Sequence, residues 1–580
     1  MAAVKERQIG EILVEHGVIS PLELDEALQR QRLTGEMMGR ILVQMGLCEE
    51  QDVVEALGIQ KGMERVDVSN LAVKEEILRK LTPDIARFYN VVPIREENGS
   101  VTVAMADPLN IGILDDLQVV LGCDVKGAIS NQQDIAKFIE KNYSYEADSI
   151  HSTLSELIER VGDSELTLAE LGTQEVIGDV DNLIQLAQEP EVIKIVNLVL
   201  LEAVQKRASD IHFEVYEDDF RIRIRIDGVL HEIVSPPKTL ALALVSRVKV
   251  ISNMDIAERR IPQDARIELK VGESEVDVRV ATLPTLYGET VVLRILDRTA
   301  VQIDLNKLGF SPGTRKEISN IISKPNGIFL VTGPTGSGKT TTLYACMSEL
   351  NHVGVKIIST EDPVELQIDR LVQVQVREDV GLTFAACLRS ILRQDPDIVM
   401  VGEIRDLETA QIAVEASLTG HLVLSTLHTN SAPETITRLL DMDLEPFLIT
   451  SWLEAVLAQR LVRTLCRHCR ERYRPDDEEI ELLGLPGSWS KDPNLAFYRP
   501  KGCPACDYIG YMGRIGLFEL LIVDEHVCEM IQDRAMAHEV RKYARAKLNM
   551  RTLREEGLMK CVQGVTSPAE VLAHTDRHDD

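Results

Sequence analysis

Ile328-Phe329-Leu330-Val331, then Gly333-Pro334-Thr335-Gly336-Ser337-Gly338-Lys339-Thr340-Thr341, then helix formers such as Leu343, Ala345 and Met347 as far as Leu350: this stretch decides the fold. The apolar quartet reads as a short buried strand, and Thr341 to Leu350 reads as a helix. Between them lies every position of a phosphate-cradling loop. Its glycines let backbone N–H groups converge on phosphate oxygens, and the helix N-terminus adds positive potential. Lys339 can reach the outer phosphates and the Thr340 hydroxyl can ligate Mg2+. The chain is therefore expected to bind a nucleoside triphosphate through Gly333 to Thr341.

C-terminal to the loop, the sequence returns twice to a short apolar run that ends on an acid. Lys356 to Thr360 delivers Glu361-Asp362-Pro363-Val364-Glu365, and Ile398 to Val401 delivers Gly402-Glu403. In an open α/β sheet the C-terminal strand ends line the ligand crevice, so either acid can ligate Mg2+ through water or orient the attacking water. A third run, Leu422 to Ser425, is bracketed by His421 and His428. Single histidines are most often structural, but this position would also let them sense a γ-phosphate or a neighbouring subunit.

Further on stand two cysteine knuckles, Cys466-Arg467-His468-Cys469 and Cys503-Pro504-Ala505-Cys506. Four thiolates so paired suit a closed tetrahedral structural zinc site. The 33 residues between the pairs exceed the commonest ribbon spacing. The other six of the ten cysteines read as small core residues, because so few in 580 residues cannot form a disulfide scaffold.

N-terminal to the loop the organisation changes. An internal repeat with an offset of 29 opens the chain: Ile9-Gly10, Ile12-Leu13-Val14, Gly17, Leu24 and Ala27-Leu28 recur as Met38-Gly39, Ile41-Leu42-Val43, Gly46, Val53 and Ala56-Leu57. Each copy reads as a helix closed by glycine and followed by a second helix. Short apolar runs then alternate with the helical segments 111–121 and 132–141, which suggests a small α+β domain. Between 142 and 188 Arg160 is the only basic residue among many acids, so a mobile linker with transient helices is expected. The amphipathic helix Val192 to Lys206 and the alternating Phe220-Arg221-Ile222-Arg223-Ile224-Arg225-Ile226, turned at Asp227-Gly228, open another lobe. The expected segments are 1–60 helical repeat, 61–143 α+β, 144–188 linker, 189–304 α+β lobe, 305–465 nucleotide domain, 466–513 cysteine subdomain and 514–580 helical tail.

A length of 580 residues excludes a single core, and 44% hydrophobic with 27% charged residues indicates a globular chain. No run approaches the roughly 18 apolar residues of a membrane span, and Met1 to Arg7 does not lead into a secretory signal, so the expectation is a cytoplasmic location. A net charge of −30 disfavours nucleic acid as the primary partner.

With these residues in place, the chain resembles the ATPases of type II secretion and type IV pilus assembly, the GspE/PulE/PilB family. The resemblance spans nearly the whole chain. It rests on Ala208-Ser209-Asp210-Ile211-His212, Pro262-Gln263-Asp264-Ala265-Arg266, the phosphate loop, Glu361-Asp362-Pro363, Arg393-Gln394-Asp395-Pro396-Asp397, Gly402-Glu403-Ile404-Arg405-Asp406, Thr419-Gly420-His421 and Ser425-Thr426-Leu427-His428-Thr429-Asn430. It implies an α/β fold: a RecA-like P-loop ATPase domain preceded by a PAS-like α+β lobe, with helical and α+β N-terminal domains and a zinc-binding subdomain. It implies ATP, Mg2+ and structural Zn2+, a homohexamer, an inner-membrane platform protein and a membrane-anchored docking protein as partners, and a place at the inner face of the cytoplasmic membrane. Pilin or pseudopilin polymerisation would be the work done; pilus retraction, DNA uptake or a low-turnover regulatory role are the alternatives. By motif, Arg279 and Arg294 take the positions of arginines that reach the nucleotide, although read alone they are charges on strands. Glu403 takes that of the water-activating acid and Glu361 belongs to the acidic box; the residues leave open which glutamate removes the proton. The N-terminal repeat resembles the cyclic di-GMP-binding MshEN module, but Gln8-Ile9-Gly10 and Met37-Met38-Gly39 lack the arginine of that motif, with Arg7 and Arg40 adjacent.

Overall fold

A computed structural model describes residues 9–34, 37–69, 71, 73–108, 110, 112–143, 153–158, 180–271, 274–297, 304–485 and 495–575. Arg7, Gln8 and most of the segment read as a linker lie outside the described residues. The chain divides into two compact units, 1–299 and 300–580.

In the first unit the repeat forms helices Ile9–Glu15, Pro21–Thr34, Met38–Gln44 and Glu50–Gln60 around Ile12, Leu13, Ile41 and Leu42. Its recurring glycines have a packing reason. A Cβ on Gly10 would lie 2.3 Å from Leu24 Cδ1, and one on Gly39 would lie 2.5 Å from Val53 Cγ1. Leu24 and Val53 are themselves repeat equivalents, so each copy brings its two helices together at the same glycine.

A four-stranded sheet follows, ordered Glu64–Arg65, Asp124–Ile129, Ser100–Met105, Val92–Glu97. Next comes a six-stranded antiparallel sheet, ordered Val229–Val234, Phe220–Ile226, Asp210–Val215, Gly288–Asp297, Ser274–Thr285, Gln263–Val271. The Arg/Ile alternation of 220–226 resolves as expected: Ile222 and Ile224 are buried, while the arginines face outward. The helix Val180–Ala187 lies inside the segment read as linker, yet Leu183, Leu186 and Ala187 are buried. A helix expected there to be transient is thus a packed amphipathic one.

The second unit is built on one seven-stranded sheet, ordered Val372–Gln375, Ile357–Glu361, Ile398–Val401, Leu422–Leu427, Gly327–Thr332, Leu453–Leu465, Tyr511–Ile522. The first six strands are mutually parallel and the last is antiparallel. Every residue of the strands starting at 327, 357, 398 and 422 is buried, as expected of parallel strands covered on both faces. Tyr511–Ile522 runs into the region read as a helical tail, so 511–522 closes the ATPase sheet and helices start only at Glu525–Gln532. The missed signal was the apolar run Ile515 to Ile522, which lies far in sequence from its partner strand.

Candidate nucleotide site

Parallel connection sets the site. Because the strands ending at Thr332, Glu361, Val401 and Leu427 run the same way, their C-terminal ends lie along one sheet edge. The chain leaves Thr332 through Gly333 at φ 147° and enters the helix Lys339–Leu350 through Gly338 at φ 88°. A side chain at either position would collide with Gln459, whose carbonyl oxygen lies 2.5 Å from the Cβ site of Gly333 and whose amide nitrogen lies 2.8 Å from that of Gly338. Pro334, Thr335, Gly336 and Thr340 face solvent on the rim, and Ser337 is buried beneath.

Lys339 is folded into the loop: its Nζ donates to the Gly333 carbonyl at 2.8 Å and the Pro334 carbonyl at 3.1 Å. Burial pushes the ammonium down to about 8; the Glu403 carboxylate opposes that shift and Arg460 adds to it.

The two candidate glutamates differ in surroundings. Glu361 is 3% exposed and accepts from Tyr344 O–H, from Ser359 Oγ at 2.5 Å and from Gln373 Nε2 at 3.1 Å. Tyr344 belongs to the helix after the phosphate loop and its hydroxyl also accepts from the N–H groups of Glu365 and Leu366, so it ties that helix to the acidic box. Burial and the nearby Glu361 charge push the Tyr344 phenol up. Glu403 retains solvent access, with a side chain 18% exposed. It accepts from Arg405 Nε at 2.7 Å and lies 3.1 Å from His428 Nε2. The helix Leu407–Leu418 is capped by Asp406, whose carboxylate accepts the Thr409 N–H at 2.7 Å, and this fixes the chain leaving Glu403.

Lys339, Glu403 and His428 are thus brought together, with Glu361 on the adjacent strand tip. His421 is structural: its Nδ1 lies 2.8 Å from the Ala416 carbonyl and closes the helix before its strand. Arg279 and Arg294 belong to the other unit, where they pair in register on adjacent strands; Arg294 Nε lies 3.1 Å from Asp210 Oδ1 and the side chain is 60% exposed. Sequence reasoning missed Gln459. Its amide donates to the Ser337 carbonyl at 2.8 Å and accepts the Thr342 hydroxyl at 2.8 Å.

The cysteines meet the test for zinc. Cys466, Cys469, Cys503 and Cys506 place all four Sγ atoms within 4.8 Å of one another, with separations of 3.9 Å (466–503), 3.8 Å (469–506) and 3.7 Å (503–506). Sulfurs about 2.3 Å from a shared Zn2+ in a tetrahedron stand about 3.8 Å apart, whereas a disulfide would need about 2 Å. Burial opposes ionisation of Cys506, but the N–H groups of Cys503 and Gly510, at 3.3 and 3.2 Å, bring its thiol below the ordinary range. The knuckles sit where Leu453–Leu465 and Tyr511–Ile522 leave the sheet, which closes the 33-residue gap that spacing alone left unexplained.

This sheet, its loop and the acids at its edge define a P-loop nucleotide hydrolase. The chain belongs to the type II/IV secretion system protein family, whose model matches residues 185–573. An MshEN domain matches residues 62–149, immediately after the helical repeat. The chain is 42% identical to the type IV pilus assembly ATPase PilB of Myxococcus xanthus over 98% of this chain and 99% of that one. It is 42% identical to the type II secretion system protein E of Xanthomonas campestris pv. campestris over 98% and 99%. With the type II secretion system ATPase E of Vibrio cholerae it shares 50% identity over 87% and 98%. It is therefore an ATP hydrolase of the type II secretion and type IV pilus assembly family, and that family implies ATP and Mg2+. Among the described residues no helix is long and apolar enough to cross a membrane.

Proposed function

We propose that the chain is the hexameric motor of a type II secretion or type IV pilus machine, acting at the cytoplasmic face of the inner membrane on a platform protein and a membrane-anchored docking partner, and hydrolysing Mg2+-ATP to drive pilin or pseudopilin polymerisation. The grouping of Lys339, Glu403 and His428 at one sheet edge carries this reading. In it, Gly333 to Thr341 hold the triphosphate, Lys339 neutralises the outer phosphates and Thr340 ligates Mg2+, which supplies charge stabilisation for phosphoryl transfer.

Glu403 orients and deprotonates the attacking water, because it keeps solvent access while Glu361 is buried under three donors. His428 holds the Glu403 carboxylate and senses its change in charge. Glu361 positions the acidic box through Tyr344. By the family motif Arg279 and Arg294 are the arginines that act on the nucleotide, and the four cysteines hold a structural Zn2+.

The test is ATP hydrolysis by purified parent, Lys339→Ala and Glu403→Gln. Loss of nucleotide binding in the first and loss of turnover with binding retained in the second support the assignment; parent-like turnover in Lys339→Ala refutes it.

A further inference from the structure

Gln459 lies 117 residues beyond Thr342 in sequence and on a different element, yet its buried carboxamide makes two bonds to the phosphate loop and its helix. It is 3% exposed, and Leu453–Leu465 carries it in register beside the strand that delivers the loop, where Thr332 pairs with Ala458. Its backbone carbonyl and side-chain amide also border the space that only glycine permits at 333 and 338.

In a trans peptide the C=O and N–H point in opposite directions. Gln459 Nε2 draws the Ser337 carbonyl toward the Leu453–Leu465 strand, so the N–H of the same peptide, carried by Gly338, is turned the other way. We infer that Gln459 is the positioning residue of the phosphate cradle: it fixes the Ser337–Gly338 peptide so that the Gly338 N–H faces the phosphates, and it anchors that peptide to the first helical turn through Thr342. The inference rests on Gly333–Thr341 being the ATP site.

Replacing Gln459 by Met keeps the volume near its own but leaves the Ser337 carbonyl and the Thr342 hydroxyl without a partner. Gln459→Glu keeps an acceptor for Thr342 and sets a carboxylate against the Ser337 carbonyl. A group that only filled space would change melting temperature and turnover together. A group that orients a phosphate donor shows itself in KM and in ADP affinity, with kcat largely kept.

The experiment measures steady-state ATP hydrolysis, ADP binding and thermal melting of the full chain for parent, Gln459→Met, Gln459→Glu, Thr342→Val and Lys339→Ala. The expected result is a rise of about tenfold in KM for ATP and in the ADP dissociation constant for Gln459→Met. A larger rise is expected for Gln459→Glu and a smaller one for Thr342→Val, which leaves the bond to Ser337 intact. KM and ADP affinity within twofold of the parent in Gln459→Met, while Lys339→Ala loses binding, would overturn the role of Gln459 alone. Should Gln459→Met fail to fold, Thr342→Val and Gln459→Glu carry the same comparison. ADP binding unchanged in Lys339→Ala would instead overturn the site on which the inference stands.

Discussion

Glu361 ends one strand and Glu403 lies two residues beyond the end of the adjacent one, and their surroundings differ. The Glu361 carboxylate is taken up by three donors, Tyr344, Ser359 and Gln373, while Glu403, its side chain 18% exposed, lies between Arg405 and His428. Glu403→Gln is expected to lower kcat by about 100-fold or more with nucleotide affinity retained, the range for removing a general base. Glu361→Gln turns an amide donor toward buried donors and is expected to cost about 1–3 kcal/mol of stability, read by denaturant melting. Lys339 supplies a pH signature. Its folded value is lowered to about 8, so in the free enzyme the ammonium is present below that pH and lost above it. Hence kcat/KM for ATP should fall as pH rises through about 8, and Lys339→Arg should flatten that limb, because a guanidinium stays charged there.

At the scale of elements, legibility followed sequence distance. The phosphate loop, the strand tips at Glu361 and Glu403 and the repeat helices were readable because each is specified within about a dozen residues. Gln459 and the strand Tyr511–Ile522 were not, because their meaning comes from partners more than 45 residues away in sequence. The repeat makes a graded prediction. Gly39→Ala drives a Cβ against the branched Val53, whereas Gly10→Ala meets only the movable end of Leu24. Gly39→Ala should therefore cost about 1–3 kcal/mol and raise hydrogen exchange across Met38–Gln44 and Glu50–Gln60, with Gly10→Ala milder. The cysteine knuckles make another. Chelation or Cys503→Ser should expose the segment around Cys466 and Cys506 to protease while ADP affinity changes little, because the loop is held by Gln459, seven positions before the first knuckle.

At the scale of the whole molecule, the chain divides into two compact units: one holds the phosphate loop and the acids at its sheet edge, the other Arg279 and Arg294. The proposed hexameric motor makes turnover depend on assembly in a way that a self-contained nucleotide binder would not. The most direct measurement is steady-state ATPase activity per chain across a range of protein concentrations, for the parent and for Glu403→Gln. Specific activity that climbs with oligomer formation in the parent and stays near zero in Glu403→Gln is the predicted result. Specific activity independent of concentration, or a Glu403→Gln variant that keeps pace with the parent, would contradict an assembled motor that uses Glu403.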